Sequence, residues 1–152
     1  MADIDALLMA ETDGGCAYCG IKDYRILTVH HIHQQDPKDE SYDNKIILCH
    51  NCHHLYHQNK GPSKQDVITI KKRLIYRMLT QQGVNAVKEC YRKGLVVAAP
   101  YLVNHLVEFG FLKQTDIITS MATADNEQGV VMDAVYELTT AGKILAEKWD
   151  LK

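Results

Sequence analysis

The sequence predicts an α+β protein in two parts, 1–60 and 61–152. Three observations carry this prediction. Cysteine and histidine crowd into the first part: four of the five Cys lie between Cys16 and Cys52, and seven of the eight His between His30 and His57. After the breaking residues Lys60-Gly61-Pro62-Ser63, apolar residues recur at helical spacing and two runs of strand character follow. Charge changes with the pattern. Residues 1–59 hold 4 Lys/Arg against 9 Asp/Glu, residues 60–93 hold 9 against 2, and residues 94–152 hold 4 against 8. A small metal-stabilised part is therefore expected first and a mainly helical part second.

Several classes are excluded. A chain 46% hydrophobic and 24% charged has the composition of a folded protein. No run of 18 apolar residues is present, so no membrane-spanning helix and no membrane partner are expected. The start, Met1 to Asp5, is acidic and lacks the basic and apolar regions of a secretion signal. The cytoplasm is the expected location.

The elements follow in order. Residues 3–11 suit a short helix with Ile4, Leu7 and Leu8 on one face. Residues 14–20 form a Gly-flanked turn around Cys16 and Cys19, and 25–32 have strand character. Residues 34–44 are polar, contain Pro37 and read as a loop, before the short apolar run 45–48. A helix is expected from about Cys52, carrying His53, His54, Tyr56 and His57. Ser63 suits the cap of a helix over 64–82, with Val67, Ile70, Leu74, Ile75 and Met78 as its buried face. Gly83 is expected to break it. A helix over 84–93, a small strand over 95–97 and a helix over 100–109 with Pro100 in its first turn come next. Two strands, 111–121 and 129–138, joined by a polar turn at 124–128, and a closing helix capped by Thr139 complete the chain.

Cys16-x2-Cys19 and Cys49-x2-Cys52 stand 29 residues apart. Two thiolates at this spacing chelate one ion, and two such pairs complete a tetrahedron, so a structural Zn²⁺ held by Cys16, Cys19, Cys49 and Cys52 is expected. Disulfides fit poorly with a chain lacking a secretion signal. Cys90 stands alone and reads as a packed core thiol.

The segment between the knuckles and just after them carries histidines in a pattern of its own. His53 and His57 are four apart, so a helix places them on one face, where they can share one metal. His30 and His31 are adjacent on a strand and point to opposite sides, so one can join the metal while the other serves elsewhere. Three imidazoles with an open position describe a catalytic metal site. A bland alternative leaves His50, His53, His54 and His57 facing solvent beside a zinc knuckle, or one of them replacing a Cys ligand.

The run from Thr28 through His30, His31 and Ile32, then Asn44, then Cys49-x2-Cys52-His53, resembles the HNH endonucleases of the ββα-metal type over residues 14–60. The intervals of 13, 9 and 4 residues from His31 to Asn44, His53 and His57 also resemble the His-rich branch of bacterial nuclease toxins, which lacks the Cys knuckles. The resemblance implies that His31 is the general base that deprotonates water. It implies that His30 sits where many members have an Asp ligand, and that His53 and His57 complete the site of one catalytic divalent metal. It further implies that Asn44 braces the loop around the base or joins the metal. Imidazole ligands favour Zn²⁺, Ni²⁺ or Mn²⁺, and Mg²⁺ stays open because related sites with Asp in place of His30 work with it. Cleavage of DNA to a 5′ phosphate and a 3′ hydroxyl is the implied reaction. His33 and His54 are left as phosphate contacts or surface residues, and Arg25 as a surface Arg or a phosphate clamp.

In the second part, the order helix, helix, small strand, helix, two strands, helix resembles a winged helix-turn-helix, and Tyr136 to Gly142 resembles the end of its wing. The recognition position, 100–109, offers Tyr101, Asn104, His105 and Glu108 but no cation, which suits major-groove reading poorly. The cations precede it. Lys60, Lys64, Lys71, Lys72, Arg73 and Arg77 are the candidate nucleic-acid-binding residues, with a solvated helix face as the alternative. The acidic far end suits a homodimer or a protein partner as well as DNA.

These readings combine into a metal-dependent HNH endonuclease with a winged-helix targeting or assembly module, suited to a phage, mobile element or restriction-type system. The rivals are a zinc-dependent DNA-binding regulator without cleavage and a winged-helix adaptor for a protein partner. Divalent-metal-dependent nicking, lost on His31→Ala, separates the first from both.

Overall fold

A computed structural model describes residues 3–34, 37–119 and 131–152. The protein is α+β, and its described residues divide into two compact units at Met78/Leu79. Residues 64–78, grouped by sequence with the second part, thus belong to the first unit.

In the first unit, helix α1 (Ile4–Glu11) is capped by Asp3, whose carboxylate accepts from the Asp5 amide. After the Cys16–Cys19 turn, the expected strand starts late. Residues Tyr24–Ile26 form a 3₁₀ turn capped by Asp23, and strand β1 covers Leu27–His31. Strand β2 (Lys45–Cys49) pairs antiparallel with β1, in the register Leu27↔Cys49 through His31↔Lys45. Helix α2 (His50–His57) follows without a loop, because Cys49 is itself the N-cap and its sulfur accepts from the Cys52 amide. Leu8, Ile32, Ile46 and Leu48 are fully buried between these elements.

Helix α3 spans Lys64–Lys93 with one non-helical residue, Thr80. Ser63 starts it with a reciprocal cap: its hydroxyl accepts from the Asp66 amide, and the Asp66 carboxylate accepts from the Ser63 amide. The buried stripe is narrower than the apolar pattern predicts. Val67, Lys71, Ile75 and Leu79 are buried at four-residue steps, whereas Ile70, Leu74 and Met78 are only half-buried. A lysine occupies a core position because Glu11 meets it there: Lys71 Nζ lies 2.8 and 2.9 Å from the two Glu11 carboxylate oxygens, with both side chains fully buried. The Tyr42 hydroxyl also donates to Glu11, and Lys71 Nζ sits 3.8 Å from the centre of the Tyr42 ring.

The second unit begins at Leu79, and the α3 stretch after Thr80 buries Val84, Val87 and Cys90. The helix interruption falls at Thr80 and not at Gly83. Gly83 lies inside the helix, where an added Cβ would stand 3.1 Å from His105 Nε2 and 3.2 Å from Leu106. Its lack of a side chain serves close packing, not a break. Gly94, at φ +87°, turns the chain into strand β3 (Val96–Ala98). Helix α4 (Pro100–Glu108) has Pro100 at its start and buries Val103 and Leu106. Strands β4 (Leu112–Thr119) and β5 (Val131–Leu138) pair antiparallel, and the sheet order is β3-β5-β4. The polar turn expected at 124–128 lies outside the described residues. Thr139 caps helix α5 (Thr140–Lys148) by accepting from the Gly142 amide at 3.0 Å. Tyr136, Leu145, Ala146 and Leu151 are buried in this unit. No described helix is long and apolar enough to cross a membrane.

Candidate active site

Among the described residues, two clusters of metal-ligating side chains form in the first unit. In one, the ligand atoms of Cys16, Cys19, Cys49 and Cys52 lie within 4.8 Å of one another. The turn that presents Cys16 and Cys19 is closed by the Cys16 amide on the Ile21 carbonyl and tied to β2 by the Ala17 amide on the Ile47 carbonyl. Cys49 and Cys52 stand at the N-cap and in the first turn of α2. No disulfide joins them, and Cys19 Sγ is 3.7 Å from Cys49 Sγ. Four thiolates around a tetrahedral ion with bonds of about 2.3 Å stand roughly 3.8 Å apart, so the cluster fits a structural zinc. Burial pushes the Cys16 thiol up, but backbone hydrogen bonds from Cys19, Cys49 and Tyr18 prevail and hold it at about 7.

The second cluster is His30, His53 and His57, with ligand nitrogens also within 4.8 Å of one another. Helical spacing brings His53 Nε2 within 3.1 Å of His57 Nε2. His30 reaches them from β1, its ring centre 5.0 Å from that of His53 and 5.7 Å from that of His57. The Tyr56 ring packs edge-on against His30 at 4.5 Å. His30 is 1% exposed, and its Nε2 is buried without a hydrogen-bond partner. An orphaned buried nitrogen beside two more imidazoles is the donor set a divalent metal satisfies. Burial first, then the nearby His53, His57 and His31, depress the His30 imidazole to about 4, so it stands neutral as a ligand must. Burial and the neighbouring His57 and His50 likewise lower His53.

His31, the last residue of β1, is half-buried, and with His30 it lines a cavity of about 300 Å³ together with Val29, Gln34, Lys38, His53 and His57. His31 Nε2 lies 3.1 Å from Glu40 Oε1, and Glu40 Oε2 lies 2.7 Å from Lys45 Nζ. Asn44, fully buried, is committed to the backbone. Its Oδ1 accepts from the His33 amide at 2.9 Å, and its Nδ2 donates to the carbonyls of His33 (3.1 Å) and Asp39 (2.9 Å). Both amide protons are used, and the side chain ties the backbone at His33 to that at Asp39.

The other sequence candidates scatter. Lys60, Lys64, Arg73 and Arg77 are exposed, and Lys72 is half-buried with its Nζ 6.0 Å from the Tyr76 ring centre. Lys71 is a correction: buried against Glu11, it presents no charge to a phosphate. Arg25 is clamped to Asp23 through two 2.9 Å contacts, and His54 bonds Gln58 at 2.8 Å. In the second unit His105 turns inward, its Nε2 bonding the Leu79 carbonyl at 2.9 Å, while Tyr101, Asn104 and Glu108 stay exposed. Sequence reasoning passed over Gln34, Lys38 and Glu40. They lie in a polar loop whose only local signal is its position between the paired histidines and Asn44.

Residues 16–59 match the HNH endonuclease family model. No curated protein and no solved structure matches the chain.

Proposed function

From the HNH endonuclease module at residues 16–59, we propose that the protein is a metal-dependent endonuclease that hydrolyses DNA phosphodiester bonds. The observation that carries this is the buried, unpartnered Nε2 of His30. It converges with His53 and His57 on the wall of a cavity that His31 also lines. A closed structural knuckle has no use for a second imidazole set beside an open cavity.

His30, His53 and His57 would hold the catalytic divalent ion. When bound, that ion neutralises the scissile phosphate and the departing 3′ oxygen. His31 takes a proton from the attacking water. The water oxygen forms a bond to phosphorus, and the bond to the 3′ oxygen breaks. The 3′ oxygen leaves with a proton from solvent and His31 returns its own to solvent, giving a 5′ phosphate and a 3′ hydroxyl. Lys38, exposed on the cavity wall, supplies a cation for the substrate phosphates. Lys60, Lys64, Arg73 and Arg77 extend a basic surface for the DNA backbone. The winged-helix reading of the second unit as a targeting or assembly module rests on its order of helices and strands.

The test is nicking of supercoiled plasmid by zinc-loaded protein supplied in turn with Mg²⁺, Mn²⁺, Ni²⁺ and Zn²⁺. Wild type should cleave. His31→Ala should lose about 10²–10⁴-fold in rate with metal binding intact, and His57→Ala should lose the second metal with the first retained. A wild-type protein that binds both metals and never cleaves would end the nuclease reading and favour the non-catalytic regulator.

A further inference from the structure

We propose that Glu40 is the positioning residue of the His31 base: it accepts the Nε2 proton of His31 and so leaves Nδ1 as the basic nitrogen. This rests on the reading of His31 as general base, and it concerns a loop residue between the paired histidines and Asn44.

The geometry is built from both strands. His31 and Lys45 are cross-strand partners at the end of the β1–β2 ladder. Glu40 bridges them, one carboxylate oxygen on His31 Nε2 at 3.1 Å and the other on Lys45 Nζ at 2.7 Å. The Lys45 side chain is only 13% exposed and that of His31 22%, while the Glu40 side chain between them is 61% exposed and is held by its two contacts. The backbone on both sides of Glu40 is also held. The Asp39 carbonyl accepts from Asn44 Nδ2, and the Asp39 carboxylate accepts from the Ser41 amide at 3.0 Å. Asn44 grips His33 at the same time, so one side chain spaces the end of the base strand from the loop that delivers Glu40.

An ionised carboxylate only accepts hydrogen bonds. The hydrogen bond from Lys45 holds Glu40 below the ordinary carboxylate range, so it is ionised at neutral pH. Opposite such a group, neutral imidazole places its proton on Nε2, and the lone pair remains on Nδ1. The proton drawn from water then rests on Nδ1, while the Nε2 proton stays on the ring. Glu40 faces the resulting imidazolium and takes no proton itself. The ring is also fixed in orientation, which is the usual work of a partner on the second nitrogen of a functional histidine.

The experiment uses the full chain with zinc in the Cys cluster. Long-range ¹H–¹⁵N correlation spectra at pH 8, without the second metal, report the His31 tautomer; His31→Gln identifies its signals. Wild type should show the Nε2–H form, and Glu40→Ala should show a mixture. In Glu40→Gln the one amide oxygen faces Lys45, which can only donate, so the amide NH2 faces His31 and should shift the ring toward the Nδ1–H form. Single-turnover plasmid cleavage should fall about 10–100-fold in Glu40→Ala, with half-saturating DNA concentration unchanged and no recovery in Glu40→Gln. An Nδ1–H tautomer in wild type, or a Glu40→Ala protein with unchanged tautomer and rate, would overturn the inference. If no protein cleaves, the nuclease reading fails, and the tautomer still decides the pairing of Glu40 with His31.

Discussion

Lys71 and Glu11, sixty residues apart in the chain, form an ion pair from which solvent is excluded on both sides. Desolvating two charges is costly, and the cost is met here by two charge-assisted contacts, the Tyr42 hydroxyl and the Tyr42 ring. Burial pushes the Glu11 carboxyl up against the lowering pull of Lys71. Removing one partner leaves the other's charge buried without its ion pair. Glu11→Leu alone and Lys71→Met alone should each cost about 3–5 kcal/mol in urea unfolding. The double replacement should cost far less than the two combined. Additive losses in the double variant would show that the pair is not coupled.

The Cys cluster should hold one zinc that the first unit needs for folding. A small unit with a two-stranded sheet and short helices has a modest core, and the free energy of zinc binding becomes folding free energy. Cys49→Ser removes a zinc ligand while its hydroxyl can still cap α2, so the variant isolates the loss of zinc. Elemental analysis after the second metal is stripped should give one zinc per wild-type chain and almost none in Cys49→Ser. The dispersed amide signals of residues 16–59 should collapse in the variant. A Cys49→Ser chain that keeps zinc and dispersion would refute the assignment.

His30 sets a pH dependence in protein without the second metal. Its folded value, about 4, lies below its ordinary value of 6.5. Between these values the unfolded chain binds a proton that the folded chain refuses, so stability falls as pH drops from 6.5 toward 4 and is level above. A depression of this size corresponds to roughly 3 kcal/mol. Urea midpoints at pH 7.5, 6.0 and 5.0, with zinc content checked at each, should decline in wild type and decline less in His30→Asn. Equal declines would place the proton uptake elsewhere.

Thr80 is predicted to be a strained position. Its φ of 61° and ψ of 167° belong to a region that glycine alone adopts at ease. Its hydroxyl accepts from the Gly83 amide at 3.3 Å, capping the second stretch of α3, a contact whose loss to glycine costs only tenths of a kcal/mol. Thr80→Gly should therefore stabilise by about 1 kcal/mol. Thr80→Val keeps the strain, loses the cap and should destabilise. Calorimetry should move the melting temperature up for the first and down for the second.

Local spacing alone determined much of this protein. Each Cys-x2-Cys spacing brings two thiolates together, in a turn for Cys16 and Cys19 and at a helix start for Cys49 and Cys52. His53 and His57 meet because a helix places residues four apart on one face. Pro100 and Thr139 start their helices where a missing amide hydrogen and a capping hydroxyl are useful. What spacing could not determine depends on partners distant in the chain. Lys71 reads as a surface cation until Glu11 is found beside it. Gly83 reads as a helix break until His105 and Leu106 are seen to need its missing Cβ. Glu40 reads as loop polarity until the register His31↔Lys45 is known. Periodicity reports which face a residue occupies on its own element, but burial of a charge and orientation of a base are set by what the opposite element places there.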